Sequence, residues 1–448
     1  MSNISDYPLS FRLVRDYVVC TFKRYYGEYI VVGRENIPAG CPVIFAPNHI
    51  NALMDAIAVH SIAPYKLPVI FLARADLFKD KTAAKLLNFV KILPAFRMRD
   101  GMENLGKNSE VFEQCVGILH QNKGLGIMPE GNQGEERKLR PLVKGIFRIA
   151  FTAQQPYGTQ PKVKIIPVGI DYGDLVKYGK HVIINIGKPI EISEYMKSYG
   201  ENPVTATNDI RERLTGALNR LSLDLASAKH YSCFETVTAV ANSSFVEKLH
   251  FPDNTVYRFI ARQEIAKTLV ALEESNPEKI DRLESLCKEY TGLLTKVNLR
   301  NWVLEQKPYS IPAMLVEGFK LFWTIPFFVF GFLLNFIPFF LPVYIRKKII
   351  KAEYEGFFSS LQFGIGIIAF PVFYLLQAIL FCSLANASWK LTLIFFFVQY
   401  PLGKWAIKWN REAKRFMAKR RYLKLLRKKS TDLARAQSVR EQIIGMIL

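Results

Sequence analysis

The chain of 448 residues holds enough sequence for two to four domains of ordinary size. Hydrophobic residues make up 50%, aromatics 13% and charged residues 22%, which excludes an intrinsically disordered chain and is oily for a wholly water-soluble one. The 60 Lys and Arg against 39 Asp and Glu give a formal net charge of +21, so an anionic partner is expected: lipid headgroups, phosphorylated substrates or nucleic acid.

The N-terminal ten residues contain Asp6 and Pro8 and lack a basic stretch leading into an apolar one, so a cleaved signal peptide is not expected and this region should stay in the cytosol. Leu13, Val14, Tyr17, Val18, Phe22 and Tyr25 recur at helical spacing, with Arg12, Arg15, Asp16, Lys23 and Arg24 between them. That pattern predicts an amphipathic helix over Leu9 to Tyr26, within an N-terminal segment 1–28: an ordinary surface helix packed on a core, or an interfacial one, which its basic and aromatic residues suit.

Residues 29–200 alternate short β-rich runs with helical stretches. Strands are predicted at Val43 to Ala46, Val69 to Ala73, Leu125 to Met128, Val163 to Ile170 and Val182 to Ile186, giving an α/β domain with a central mixed sheet. The β signal then stops, and 201–310 reads as a helical region. One helix carries Ile210, Leu214, Leu218 and Leu221; two more, marked by Ile260, Ile265 and Leu269 and by Ile280, Leu283 and Tyr290, form a helical hairpin. Asn276 and Pro277 suit the cap and first turn of the last.

Residues 311–403 are expected to hold two or three hydrophobic membrane segments. Leu321 to Ile345 and Leu361 to Ala385 carry no charge and exceed the roughly 20 residues that cross a bilayer; Leu391 to Leu402 is shorter, suiting a short span, an interfacial helix or one arm of a hairpin. Arg346, Lys347, Lys348 and Lys351 follow the first run, and twelve basic residues from Lys404 to Lys429 follow the last. The positive-inside rule puts both blocks on the cytoplasmic face. Pro326, Asn335, Pro338 and Pro342 interrupt the first run, favouring a re-entrant or in-plane segment that keeps the α/β domain on the cytoplasmic side. Residues 404–448 form a basic C-terminal helix or tail that fits an anionic leaflet better than nucleic acid, because it follows apolar segments directly. Six Cys without C-x-x-C pairs or matching His spacing make disulfides and a metal site unexpected.

The sharpest chemical signal is Pro47-Asn48-His49-Ile50-Asn51-Ala52-Leu53-Met54-Asp55, directly after a predicted strand, where open α/β sheets place their sites. His49 and Asp55 are too far out of phase to share a helix face at about 100° per residue, so they meet only if His49 lies in a loop before a helix bearing Asp55. The carboxylate would then fix the imidazole tautomer and leave the other ring nitrogen to take a proton from a hydroxyl. No G-x-S-x-G nucleophile accompanies the pair, so direct attack by an acceptor hydroxyl is the simpler chemistry. Arg97 and Arg99 flank Met98 in a predicted turn, and Arg137, Lys138, Arg140 and Lys144 follow Pro129-Glu130-Gly131. Such clusters suit a phosphate dianion.

With these residues the chain resembles the glycerophosphate acyltransferases, including glycerol-3-phosphate and 1-acylglycerol-3-phosphate acyltransferases, over Tyr29 to Ile192. Four blocks stand in the family's order: Asn48-His49 with Asp55; Phe96 to Arg99; Pro129-Glu130-Gly131 with Lys144-Gly145; and Ile166-Pro167-Val168-Gly169. The resemblance implies His49 as general base, Asp55 as its partner, Arg99 with Arg97 on the acceptor's phosphate, Asn48, Glu130 and Gly131 in acceptor binding, and Pro167 on the acyl-donor side. It implies acyl-CoA or acyl carrier protein as co-substrate, no further cofactor, no metal, and a glycerophosphate or lysophosphatidate acceptor at a phospholipid membrane. Five residues separate His49 from Asp55 where the family has four, as in a divergent branch, and Asn132-Gln133-Gly134 stands where the family has Thr-Arg-Ser. Arg137, Lys138 or Arg140 is expected to replace the missing charge. A lysophospholipid-remodelling enzyme and a catalytically decayed membrane interaction protein are the competing readings.

Overall fold

Residues 43–47 have no exposed position, a continuous apolar run that marks a strand covered on both faces. That strand is the middle of the sheet around which the first half of the chain is built. The computed structural model describes residues 4, 6–95, 105–134, 136–305, 309–350 and 355–448, in two units: Met1–Asp224 with Ala352–Ser360, and Leu225–Lys351 with Leu361–Leu448.

The first unit runs α1 (Leu9–Tyr25), β1 (Glu28–Val32), β2 (Val43–Pro47), α2 (Leu53–Ile62), β3 (Val69–Arg74), α3 (Lys81–Phe89), β4 (Ile92–Ala95), α4 (Leu105–His120), β5 (Gly124–Gly126), α5 (Gly145–Gln154), β6 (Lys164–Tyr172), β7 (His181–Ile186), β8 (Ile190–Glu191), α6 (Met196–Glu201) and α7 (Pro203–Leu221). The sheet order is β1-β7-β6-β2-β5-β3-β4, with β8 also on β6. Strands β2 to β6 are parallel along this path, whereas β7 and β8 run antiparallel to β6. The sheet is therefore mixed, as predicted. All five predicted strands are present; β1, β4 and β8 are additional. The short β4 contains Pro94, tolerated because this strand lies at the sheet edge.

The predicted N-terminal helix is α1. Its Arg15 is only 9% exposed, and its guanidinium donates to the carbonyls of His60 (3.3 Å), Ala63 (3.2 Å) and Tyr65 (3.4 Å), satisfying groups that the end of α2 leaves open. Helix α7 was expected to belong with the later helical region. Instead Ala206, Ile210, Leu214 and Leu218 are fully buried in the core beside Phe147, Phe151 and Ile165, because the apolar face of α7 needs the sheet to cover it.

The second unit is helical: α8 (Tyr231–Val240), α9 (Asn242–Lys248), α10 (Thr255–Ser275), α11 (Pro277–Val297), α12 (Asn301–Glu305), α13 (Ile311–Trp323), α14 (Ile325–Tyr344), α15 (Glu355–Ala385, its residues 355–360 in the first unit), α16 (Trp389–Arg427) and α17 (Thr431–Gly445). The predicted hairpin is α10 and α11, and the Asn276 side chain accepts from the Lys279 amide as a cap. Among the described residues, two helices are long and apolar enough to cross a membrane, Ile325–Ile350 and Glu355–Ala385.

Two expectations change here. The first apolar run is not broken at its prolines: α14 is continuous through Pro338 and Pro342, and the break falls at Thr324 between α13 and α14. Asn335 does not interrupt the helix either, because it is satisfied laterally. Its Nδ2 donates to the carbonyls of Gly331 (2.9 Å) and Gln399 (3.2 Å), and Tyr374 donates to its Oδ1 (2.6 Å). The short third run, Leu391 to Leu402, is no separate segment but the start of the 39-residue α16, which passes without a break into the basic stretch.

Arg15 fixes the far end of the helix that carries Asp55, so Arg15→Met, which keeps the aliphatic stem and removes the charged donors, should destabilise the first unit by about 2 to 3 kcal/mol. Pulse proteolysis in urea measures this; an unchanged midpoint would show that the cap contributes nothing.

Candidate active site

The site begins where β2 leaves the sheet. The Asn48 side chain continues the pairing with β6: its Nδ2 donates to the Ile170 carbonyl (3.1 Å) and its Oδ1 accepts from the Ile170 amide (2.7 Å). Asn48 is thus a structural anchor, 6% exposed, that fixes the point from which His49 departs. The Met54 amide then donates to the Asn51 carbonyl at 2.9 Å, closing a turn in which Ala52 has φ 43° and ψ −118°. This is the first central position of a type II′ turn, normally a glycine's, and it stores backbone strain. The turn lets α2 start at Leu53, with Asp55 in its first turn.

Asp55 is fully buried. Its Oδ2 accepts from the amides of Ile50 (3.0 Å) and Asn51 (2.8 Å) and stands 3.0 Å from His49 Nδ1, while its Oδ1 accepts from the Tyr172 hydroxyl at 2.7 Å. A carboxylate surrounded by donors is an acceptor only, so Nδ1 is the donor of this contact, and in the neutral ring the lone pair then lies on Nε2. His49 and Asp55 therefore meet as the spacing predicts, with the His side chain 17% exposed. Tyr172, at the end of β6, completes the set. No sequence pattern links it to residues more than a hundred positions earlier, and it was missed. Burial among the carboxylates of Asp55 and Asp171 and the neighbouring Tyr26 hydroxyl raises the Tyr172 phenol well above its ordinary range, keeping it a donor.

The second wall is the turn after β5. The Gly131 amide bonds to the Met128 carbonyl (3.1 Å), and Gly131 has φ 71°, a left-handed conformation that glycine takes freely. Glu130 is 5% exposed. Its Oε1 accepts from the His49 amide (2.7 Å) and its Oε2 from the Arg140 Nε (2.9 Å) and amide (3.2 Å). Burial pushes its carboxyl upward, against the opposing pull of Arg140 and these hydrogen bonds. Arg140 also donates to Asn132 Oδ1 (2.6 Å), to the Asn132 carbonyl and to the His49 carbonyl (3.3 Å). Glu130 and Arg140 thus hold the main chain of His49 from below. Sequence reasoning counted Arg140 among the free phosphate-binding charges; its guanidinium is committed to this clamp.

Arg137 is held by the Tyr172 carbonyl (2.7 Å) and Asp171 (3.7 Å), and lines a small cleft with Asn48, Glu130 and Lys138. Lys144 is exposed at the start of α5. Pro167 is buried within β6, opposite Ala46 of β2; the next residue, Val168, accepts from the Asn48 amide (3.2 Å). Arg97 and Arg99 lie outside the described residues. Among the described residues, one group has metal-ligand proximity: His230, Asp281 and Glu284 of the second unit. Lys229 and Lys288 already pair with its two carboxylates, at 3.1 and 2.7 Å.

Residues 28–171 match the family model described as Acyltransferase. Over this part the chain is similar to the glycerophosphate acyltransferases. The chain is 23% identical over 298 residues to glycerol-3-phosphate O-acyltransferase 2 of Saccharomyces cerevisiae, a match covering 62% of this chain and 39% of that protein. It is 26% identical over 207 residues to a 1-acyl-sn-glycerol-3-phosphate acyltransferase of Borreliella burgdorferi, covering 44% of this chain and 74% of that protein. The crystal structure of the 1-acyl-sn-glycerophosphate acyltransferase PlsC from Thermotoga maritima aligns with 18% identity and a TM-score of 0.35, over 47% of this chain and 77% of that one. The chain spans well under half the length of the yeast relative.

Tyr172→Phe removes one donor from Asp55 and leaves the ring in place. A hydrogen bond to a charged group is worth about 1.5 to 3 kcal/mol, so the variant should be less stable by about that amount and slower in turnover by about tenfold. Thermal unfolding and steady-state kinetics on the same preparation check both; wild-type turnover would remove Tyr172 from the site.

Proposed function

We propose that the protein is an O-acyltransferase of glycerolipid synthesis that moves a fatty acyl group from acyl-CoA or acyl carrier protein to glycerol-3-phosphate or its 1-acyl derivative. One observation carries this reading: a solvent-reachable His49 whose Nδ1 is engaged by buried Asp55 at 3.0 Å, leaving Nε2 as the base at the end of a central strand. Nε2 takes the proton of the acceptor hydroxyl as its oxygen attacks the thioester carbonyl carbon. The carbon–sulfur bond breaks, the ester forms, and the proton passes from the imidazolium to the departing thiolate. Asp55 and Tyr172 stabilise the imidazolium, and Glu130 with Arg140 keeps the ring in place through its main chain. The intact, fully hydrogen-bonded pair favours an enzyme over a decayed interaction protein.

The surface of the second unit supports work at a membrane. Phe327, Leu333, Ile337, Ile368 and Leu380 are exposed on α14 and α15, while Asn335 and Gln399 are buried, the reverse of a water-soluble bundle. Lys404, Lys408, Lys414, Arg420, Lys424 and Arg427 are exposed along α16, suited to anionic headgroups. With both basic blocks on the cytoplasmic face, the catalytic unit would work from that side. Arg99, with Arg97, is proposed to read the acceptor's phosphate, with Arg137 and Lys144 as further cations.

The decisive assay offers purified protein labelled acyl-CoA or acyl carrier protein with glycerol-3-phosphate, 1-acylglycerol-3-phosphate and a lysophosphatidylcholine in parallel. Transfer is expected to a phosphate monoester, and His49→Ala should lower its rate by about 10²- to 10⁴-fold with the fold retained. Near-wild-type turnover by a folded His49→Ala protein, or transfer to the choline lipid alone, overturns the reading.

Arg99→Ala should raise the acceptor's KM and reduce acceptor kcat/KM by about 10- to 150-fold, the loss of one charge-assisted contact. Arg99→Lys should recover only part, since an ammonium cannot form the bidentate fork. A change confined to the donor's KM would place Arg99 on the donor side instead.

A further inference from the structure

We infer that Ser359, with Ser360 and Gly356 on the same face of α15, positions the His49 loop for catalysis. This rests on His49 being the general base. Ser359 Oγ donates to Asn51 Oδ1 at 2.6 Å, and Ser360 Oγ donates to the Asn51 carbonyl at 3.1 Å. Asn51 is fully buried, and the two serines are 1% and 6% exposed. The Asn51 amide in turn donates to Asp55 Oδ2, the oxygen that faces His49 Nδ1. Ser359 thus reaches the base through two intermediaries, Asn51 and Asp55, and touches no reacting atom itself.

Three features make this more than an anchor for α15. Asn51 Nδ2 is buried and has no hydrogen-bond partner among the described residues, so Oδ1 is the end of that side chain that is held, and Ser359 holds it. The next residue is the strained Ala52, and the Ser360 bond falls on the carbonyl that also closes the strained turn. A strained turn persists only where its surroundings over-determine it. Finally, Gly356 lets the helix approach both walls of the site: a Cβ there would lie 2.6 Å from the Ile50 carbonyl oxygen and overlap the Gln133 amide. Positions 356, 359 and 360 follow the i, i+3, i+4 spacing that places side chains on one helix face.

The test uses the full-length protein in detergent with acyl-CoA and glycerol-3-phosphate, comparing wild type, Ser359→Ala, Ser359→Thr and Gly356→Ala. Amide hydrogen exchange is read on a peptide covering residues 48–56 and on β7 as a reference. Ser359→Ala is expected to lower kcat by about 5- to 50-fold with both KM values within about twofold, and to speed exchange of 48–56 by about tenfold while β7 stays protected. Ser359→Thr, which keeps the hydroxyl, should restore most of the rate, and Gly356→Ala should reproduce the Ser359→Ala signature. Should Ser359→Ala fail to fold, Gly356→Ala decides alone. A kcat within twofold of wild type in a folded variant overturns the inference, as does a loss confined to thermal stability. If the wild-type protein transfers no acyl group, the proposed function fails, and the exchange arm decides by itself whether Ser359 orders the loop.

Discussion

The buried carboxylate of Asp55 is the group on which the site depends. A charge out of water is tolerated only when its lone pairs are filled, and here two main-chain amides, an imidazole and a phenol fill them from three directions. Each donor is thereby fixed relative to the others. The two amides shape the loop, the phenol ties that loop to the end of β6, and the imidazole takes one tautomer. The first turn of α2 adds its dipole, so the same helix that Arg15 caps at its far end presents its positive end to Asp55. Loss of the carboxylate would therefore release the loop geometry together with the partner of the imidazole.

Around this centre, the hydrogen bonds divide into those on side chains and those on the main chain. Asp55 and Tyr172 act on the chemistry of the ring. Glu130, Arg140 and Asn48 act on the backbone carrying it, at the amide and carbonyl of His49 and at the residue before it. General-base catalysis needs the ring nitrogen within hydrogen-bond reach of a hydroxyl that is itself held, and a His on a loop meets this only if the loop is as rigid as the sheet. Asn48 supplies that rigidity by extending the β6 pairing one residue beyond β2.

Much of this was legible in the sequence, and what was not has a common cause. The His49–Asp55 meeting follows from helical phase and strand placement, both local properties; so do the five central strands, the α10–α11 hairpin and its Asn276 cap. Tyr172, Arg140 and Ser359 are contacts between residues from ten to more than three hundred positions from the groups they hold, and no periodicity encodes such a pairing. Arg140 shows the difficulty. As a letter it is one of several cations after Glu130, and only the fold shows that its guanidinium is spent on Glu130 and on two carbonyls. The same holds for Asn335, which among prolines reads as a helix breaker. With Tyr374 and Gln399 beside it, it becomes the polar join between α14, α15 and α16, a role that an apolar environment rewards because the alternative is an unsatisfied amide.

The longer His-to-Asp spacing can be understood from the same balance. Five intervening residues must still place Asp55 in the first turn of α2 and His49 beside its carboxylate, so the loop needs a sharp reversal before the helix. Ala52 supplies it at φ 43°, a conformation that costs an alanine roughly 1 to 3 kcal/mol. Opposing that cost are the Met54 and Asn51 amide bonds, the Asp55 network and the two serine hydroxyls on Asn51. Several bonds of about 1 kcal/mol each, and more for those to a charged oxygen, outweigh one strained residue. The turn at Ala52 and the serine contacts on the preceding Asn51 are thus two parts of one arrangement.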